Sequence, residues 1–323
     1  MRLVVTFALD EPWSVVSRLV AYASYARELG IEVVIKTLTP RGVDRTIDLA
    51  AFSPTLHAPL VDLSGLEPGP DDVVLFSAPK VHHTVTAQYG RRRPRFIHLL
   101  QSGLAASAVG DVGYGYRLFQ KPMTRVVISA RIGETILRLL DNSSDMTLID
   151  AAIDLAPFER GPVDNDPFAV AINAFDGEFC GRVLDTARQR GFDERVRVIA
   201  ADTPLKARAA AYRASTVLLA SPGYGEGLSQ PIHEAMAAGA LVIMTNCEAL
   251  RTLPGGAEPV AVVRQGDTEA MVRALANLVD MSPAQLGALR RATQASATAV
   301  RRTDERHRAR QMFETVFQLQ GVA

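Results

Sequence analysis

Two glutamates, Glu226 and Glu234, lie in the stretch Ser215-Thr-Val-Leu-Leu-Ala-Ser-Pro-Gly-Tyr-Gly-Glu-Gly-Leu-Ser-Gln-Pro-Ile-His-Glu-Ala-Met-Ala-Ala-Gly-Ala-Leu-Val-Ile243. An ionised carboxylate accepts hydrogen bonds from two hydroxyls, so this pair suits a sugar-like ligand. An apolar run ends at Ala220, and the loop after it carries Gly223, Gly225 and Gly227. Glycines there let the backbone turn sharply and come close to a ligand. A helical pattern then begins near Pro231, a residue tolerated in the first turn, with Ser229 or Gln230 placed to cap it. Unpaired N–H groups and the helix dipole at such a start favour an anion such as a diphosphate. Each glutamate alone has a plain structural explanation: Glu234 complements the dipole and Glu226 is a solvated loop residue. Combined with the glycines, Pro231 and the small-residue run Ala235-Met-Ala-Ala-Gly239, they point to a site for hydroxyls joined to a diphosphate.

The elements around this segment alternate along the whole chain. Short β-branched runs at 2–8, 31–37, 72–77, 95–100, 125–129 and 146–149 read as strands, with helical patterns at 14–29, 81–89 and 131–140 between them. Gly30 fits the terminator of the first helix. The run Glu159-Arg-Gly-Pro-Val-Asp-Asn-Asp-Pro167 has little to bury and reads as a linker. Beyond it, strands are predicted at 168–173, 196–200, 215–220, 241–245 and 259–263, and helices at 178–190, 204–213, 231–238 and 268–278. From Pro283 onward the tail is helical. This alternation predicts an α/β architecture of two doubly wound domains, with parallel sheets covered on both faces and a cleft between the domains. The predicted boundaries are 1–160, 161–305 and a last helix, 306–323, returning to the first domain. Ligands of such sheets bind outside the carboxyl ends of the strands, where the glycine loop falls.

Composition excludes several classes. The 323 residues are 48% hydrophobic and 22% charged, with 35 basic and 35 acidic side chains, so no global field attracts nucleic acid. Cys180 and Cys247 form no CxxC pair, which argues against a zinc site or disulfide framework and for a reducing cytoplasm. No apolar stretch approaches the roughly 20 residues of a membrane span, and the N-terminal run is too short for a signal peptide.

The pattern Glu226-Gly-Leu-Ser-x-Pro-x-x-Glu234-Ala-Met-Ala-x-Gly239-x-x-Val-Ile243 resembles the donor-binding motif of glycosyltransferase family four, which has the GT-B fold and carries two glutamates with seven residues between them. The resemblance implies an enzyme of the hexosyltransferase class (EC 2.4.1.-). It implies transfer of a sugar from a nucleoside diphosphate to a glycan, lipid-linked or protein hydroxyl, with retention of configuration and without metal or further cofactor. It places Glu234 on the donor ribose, Glu226 on the sugar ring, and Gly225, Gly227, Leu228 and Ser229 at the diphosphate. The strand Phe96-Ile-His-Leu-Leu-Gln-Ser102 is similar to the family's first-domain strand that ends at the sugar, which makes Gln101 the second catalytic candidate and leaves His98 buried. Leu148–Phe158 and the helix within 206–216, with Tyr212, are similar to further family segments.

The sequence departs from the family in three places. The strand at 168–173 is not followed by the usual basic clamp, so Arg182 is the nearest candidate for the diphosphate. The first loop reads Leu9-Asp-Glu-Pro-Trp-Ser14 rather than glycine-rich; its carboxylates would repel a diphosphate, so Asp10 and Trp13 are assigned to the acceptor side. Thr245-Asn-Cys-Glu248 replaces a Gly-Gly-x-x-Glu stretch. His82, of the pair His82-His83, and Arg91, in the basic run Arg91-Arg-Arg-Pro-Arg95, complete the acceptor-side candidates. That run is also a candidate for contact with an anionic membrane surface. Asp164-Asn-Asp166 has metal-binding spacing but sits in the linker. Two alternatives stay open: an inactive nucleotide-sugar-binding subunit, favoured by the missing clamp, and a GT-B nucleotide-sugar epimerase.

Overall fold

The computed structural model describes residues 1–9, 11, 13–38, 61–62, 69, 71–90, 94–101, 117–137, 146–151, 153, 155–159, 169–173, 177–192, 196–200, 203–222, 229–247, 250, 253, 258–297 and 303–319. The chain divides into two units, Met1–Ala151 with Thr303–Ala323, and Ala152–Arg302.

The first unit contains β1 (Arg2–Ala8), α1 (Trp13–Glu28), β2 (Glu32–Leu38), β3 (Val61–Asp62), β4 (Val73–Phe76), α2 (Pro79–Tyr89), β5 (Arg95–Leu100), β6 (Thr124–Val127), α3 (Ala130–Leu137) and β7 (Met146–Leu148). Its strands pair in the order β3-β2-β1-β4-β5-β6-β7, parallel throughout. Gly30 ends α1 in the left-handed region at φ +74°, where Ile31 N–H reaches back to Ala26 O at 3.2 Å and a Cβ would be strained. α2 begins two residues before the sequence pattern predicted, because Pro79 opens it and proline's fixed φ suits a first turn.

At the amino edge of this sheet, Asp72 precedes β4 and is 3% exposed. It accepts from Arg2 Nε and Nη2 at 2.9 and 3.2 Å, from Tyr89 Oη at 2.7 Å, and from Gly69 N at 2.7 Å. Burial pushes the Asp72 carboxyl up, but these four donors hold it below its ordinary value. Arg125, wholly buried on β6, gives its Nη2 to the carbonyls of Leu118, Phe119 and Lys121.

The second unit contains β8 (Val170–Asn173), α4 (Gly177–Gln189), β9 (Val196–Ile199), α5 (Leu205–Arg213), β10 (Val217–Ala220), α6 (Gln230–Ala237), β11 (Leu241–Thr245), β12 (Ala261–Val263), α7 (Thr268–Val279) and α8 (Pro283–Ala297). The order is β12-β11-β10-β8-β9, again parallel. Successive residues of the central strands feed opposite cores. Leu218, Ala220, Val242 and Met244 pack with Ile232, Ala235 and Met236 on one face. Val217, Leu219, Leu241 and Ile243 pack with Phe179, Val183 and Met271 on the other. Burial on both faces is why these strands read as unbroken apolar runs. Ile153, Leu155 and Phe158 belong to the first of these cores, so the chain passes to the second unit before the proline-rich run that marked the predicted boundary.

The helical tail contains α8 and a last helix, α9 (Thr303–Phe317), which begins three residues before the predicted start at 306. α9 packs on α1: Arg18 and Glu305 form a buried ion pair, Arg306 bonds Glu28 at 2.9 Å, and the Tyr22 and Phe313 rings meet edge to face at 6.2 Å. Arg95, at the end of the basic run, donates to the Val316 carbonyl at the closing turn of α9, where a positive charge complements the dipole.

Candidate functional site

In the second sheet, β8 has β9 on one side and β10 on the other. The connections leave β8 in one direction and later return past it in the other, which makes the carboxyl ends of β8 and β10 the topological switch point where such sheets bind ligands. β10 leads from this edge into α6. Pro231 lies in the first turn of α6, and Gly239 closes the helix at φ +76°, with Ala240 N–H returning to Ala235 O at 2.9 Å. Every residue from Pro231 to Ala237 is buried, so the start of α6 is held rigidly against the sheet.

Ser229 is the N-cap residue, in extended backbone, but its side chain makes no capping bond. Its carbonyl accepts from Ile232 N and His233 N at 3.1 and 3.3 Å and engages His233 Nδ1 at 2.9 Å. Its hydroxyl is buried without a hydrogen-bond partner. Burying a hydroxyl unpaired costs about 1–3 kcal/mol on mutational scales, a cost that a ligand acceptor would remove. Pro231 has no N–H, so Gln230 N–H and Ser229 Oγ–H are the donors that this helix start offers among the described residues.

One turn into α6, Glu234 is 1% exposed. Arg208 of α5 grips it as a fork, Nε to Oε2 at 2.7 Å and Nη2 to Oε1 at 2.9 Å. Arg208 Nη1 also holds the Thr203 carbonyl at 3.0 Å, and Gln230 Nε2 reaches Glu234 Oε1 at 2.8 Å. Burial pushes the Glu234 carboxyl above its ordinary value, against the charge and hydrogen bonds of Arg208 and Gln230. At the ends of neighbouring strands, Ser221 Oγ accepts from Thr245 Oγ1 at 3.4 Å and from Gln265 Nε2 at 3.2 Å. Ser221 and His233 thus bond elsewhere and form no nucleophile–base pair.

Several residues that the sequence marked as site candidates are placed differently from expectation. Arg182 pairs with Glu178 one turn back on α4, both side chains being well exposed. The i,i+4 spacing draws the guanidinium to its own helix surface. His82 is 1% exposed, its ring 5.2 Å from Phe76 and 4.6 Å from Phe96. Burial, with Lys121 and His83 adding to it, lowers its pKa to about 4. It is a neutral core histidine rather than an acceptor contact; His83 is the exposed member of the pair. His98 is buried as expected. It stacks on Phe76 at 4.5 Å, with Nε2 2.9 Å from Ser77 O, and burial brings its pKa down to about 3.

Gln101 follows β5 at the carboxyl edge of the first sheet, half-buried, and its Nε2 donates to Val15 O at 3.2 Å. Glu11, from the acidic first loop, turns back so that Oε1 accepts from Ala8 N at 2.8 Å. Trp13 opens α1. Asp10, Arg91, Asp164, Asp166, Gly225, Glu226, Gly227 and Leu228 lie outside the described residues, as does the side chain of Trp13. Arg208 was missed. Its signal was an arginine inside a helix that the sequence already placed before the donor strand.

Among the described residues no three His, Cys, Asp or Glu side chains converge as a metal site, and no helix is long and apolar enough to cross a membrane.

Residues 177–281, which contain this site, match the family described as Glycosyl transferases group 1. No curated protein sequence matches the chain. Solved structures are similar over nearly its whole length. Sucrose-phosphate synthase from Thermosynechococcus elongatus superposes with a TM-score of 0.71 at 12% identity, covering 99% of this chain and 100% of that one. Anabaena HepE in complex with UDP-glucose gives 0.68 at 12% identity, with 99% and 100% covered. The pneumococcal O-GlcNAc transferase GtfA in complex with UDP and GlcNAc gives 0.66 at 10% identity, with 98% and 99% covered. The fold is therefore the α/β GT-B fold, built on two parallel sheets.

Proposed function

We propose that the protein is a glycosyltransferase that takes a sugar from a nucleoside diphosphate and passes it to a hydroxyl acceptor. The observation that carries this reading is the group Ser229, Glu234 and Arg208: an unpaired buried hydroxyl and a buried, forked carboxylate at a helix start on the switch-point edge. It lies within the matched family segment, and two of the similar structures are complexes with UDP-glucose or UDP. In this reading Glu234 faces the donor ribose, and the Ser229 hydroxyl and Gln230 N–H face the diphosphate. Glu226 faces the sugar, as the resemblance implies. Donors aimed at the departing diphosphate stabilise the charge that develops there as the glycosidic bond breaks. Retention of configuration and independence from metal belong to the proposal. So does the assignment to hexosyl transfer.

The test is to incubate the protein with a panel of nucleotide sugars and candidate acceptors and follow release of free nucleoside diphosphate. Release that requires an acceptor and is lost in Glu226→Ala is the expected result; turnover unaffected by that change overturns the assignment. Gln101→Ala tests its sugar-orienting role in the same assay.

One observation favours a second reading, a nucleotide-sugar-binding subunit of weak or no activity. Arg182 is engaged with Glu178, and the residues after β8, Ala174-Phe175-Asp176, include no basic side chain. Binding without turnover across the panel would select it.

A further inference from the structure

One side chain reaches both segments that flank the switch point. Arg208 Nε and Nη2 hold the two oxygens of Glu234 on α6, while its Nη1 holds the Thr203 carbonyl at 3.0 Å. Thr203 lies between β9 and α5, its N–H bonded to Ala200 O at 3.1 Å. β9 and β10 stand on either side of β8, so one guanidinium joins the connections that leave the carboxyl ends of both. Gln230 reaches Glu234 from within α6; the hydrogen bonds that reach it from another element are those of Arg208. Arg208 is also the positive charge set against the burial of Glu234. Gln230 and Thr203, packed beside it, carry no charge, and His233, the titratable neighbour on α6, turns its Nδ1 to Ser229 O.

We propose that Arg208 is a positioning residue for the donor nucleotide: it ties the start of α6 to the connection after β9, so that the helix start meets its ligand in one fixed arrangement with Glu234 ionised. The inference rests on the donor-site reading above and adds to it a residue of another helix, which need not touch the ligand. A ligand that must first order its site loses that free energy from its affinity. A planar fork fixes direction as well as distance, whereas lysine is a point charge on a flexible stem. Arg208→Lys therefore keeps the charge and removes the geometry, and Arg208→Gln removes both.

The experiment is calorimetric titration of the full chain with UDP, GDP and ADP at about pH 6.5 and about pH 8.5, below the thermal midpoint of each variant. For the nucleotide that binds, Arg208→Lys is expected to weaken affinity roughly tenfold at both pH values, the factor for one hydrogen bond to a charged group. In Arg208→Gln nothing opposes the burial of Glu234, so its carboxyl takes up a proton as pH falls. The loss relative to the unaltered protein is then expected to be about threefold larger at the lower pH. A residue that serves stability alone would lower the midpoint and leave the affinity of the folded protein within about twofold; that result in Arg208→Lys, the variant that keeps a charge opposite Glu234, overturns the proposal. A loss in Arg208→Gln that does not change with pH overturns the part given to its charge. Binding of none of the three by the unaltered protein overturns the donor-site reading itself, and the inference with it.

Discussion

Each unit buries a carboxylate against a forked arginine, and the two differ in position and in how completely they are filled. Asp72 sits at the amino edge of the first sheet and receives four hydrogen bonds, from Arg2, Tyr89 and Gly69. Its work is to tie the ends of β1, β4 and α2 together. Glu234 sits past the carboxyl end of β10 and receives three, from Arg208 and Gln230, beside a buried hydroxyl with no partner. The same chemistry therefore serves structure at one edge and is left incomplete at the edge where parallel sheets bind ligands. Position at the carboxyl edge, beside the unpaired Ser229 hydroxyl, separates the site from the strut.

Breaking the pairs should show this difference, and the largest effect is expected at Arg208. Arg208→Leu strands a 1%-exposed carboxylate, a change that typically costs about 3–5 kcal/mol and is read as a lowered urea midpoint for the second unit. Acid should act on the first unit instead. His82 and His98 stay neutral in the fold, with pKa values of about 4 and about 3 against an ordinary 6.5. The unfolded chain therefore binds more protons than the folded one between these values, and stability falls as pH falls through that window. The loss between pH 7 and pH 5 is about 2 kcal/mol per histidine. The sole tryptophan, Trp13, opens α1 of this unit, so its fluorescence during unfolding follows the loss, and His82→Phe should remove roughly half of it.

Asp72→Asn should cost about 1–3 kcal/mol, since it removes charge from a hydrogen-bonded group, while nucleotide affinity stays within twofold. The smallest effects contrast two helix starts. Asp267 caps α7 by accepting from Ala270 N at 2.8 Å, and Asp267→Ala should cost about 1 kcal/mol. Ser229 makes no such bond and its buried hydroxyl has no partner, so Ser229→Ala should raise the thermal midpoint and still weaken nucleotide binding several-fold. Loss of stability without loss of binding at Ser229 would make it an ordinary cap.

Much of the fold was legible because both units follow the period of their elements. The predicted strands at 95–100 and 241–245 coincide with β5 and β11, since buried parallel strands read as continuous apolar runs bounded by breakers. β3 was not read: two paired residues leave no periodic trace. Helix phase was the weak point. His82 followed polar-looking neighbours, yet its position on α2 turns it inward between Phe76 and Phe96. Arg182 was matched to a missing clamp by sequence distance, and its i,i+4 contact with Glu178 was not read. Glu234 was found through its spacing from Glu226, but its partner was not. Arg208 lies 26 residues earlier on another helix, and only the packing of α5 beside α6 brings the two together.

The most direct test is titration of nucleoside diphosphates into the unaltered chain and into Glu234→Gln, which keeps the shape of the side chain and removes its charge. If the start of α6 is the donor site, a nucleoside diphosphate binds the unaltered protein, and its affinity falls tenfold or more in the variant. Equal affinity in both proteins would contradict that assignment.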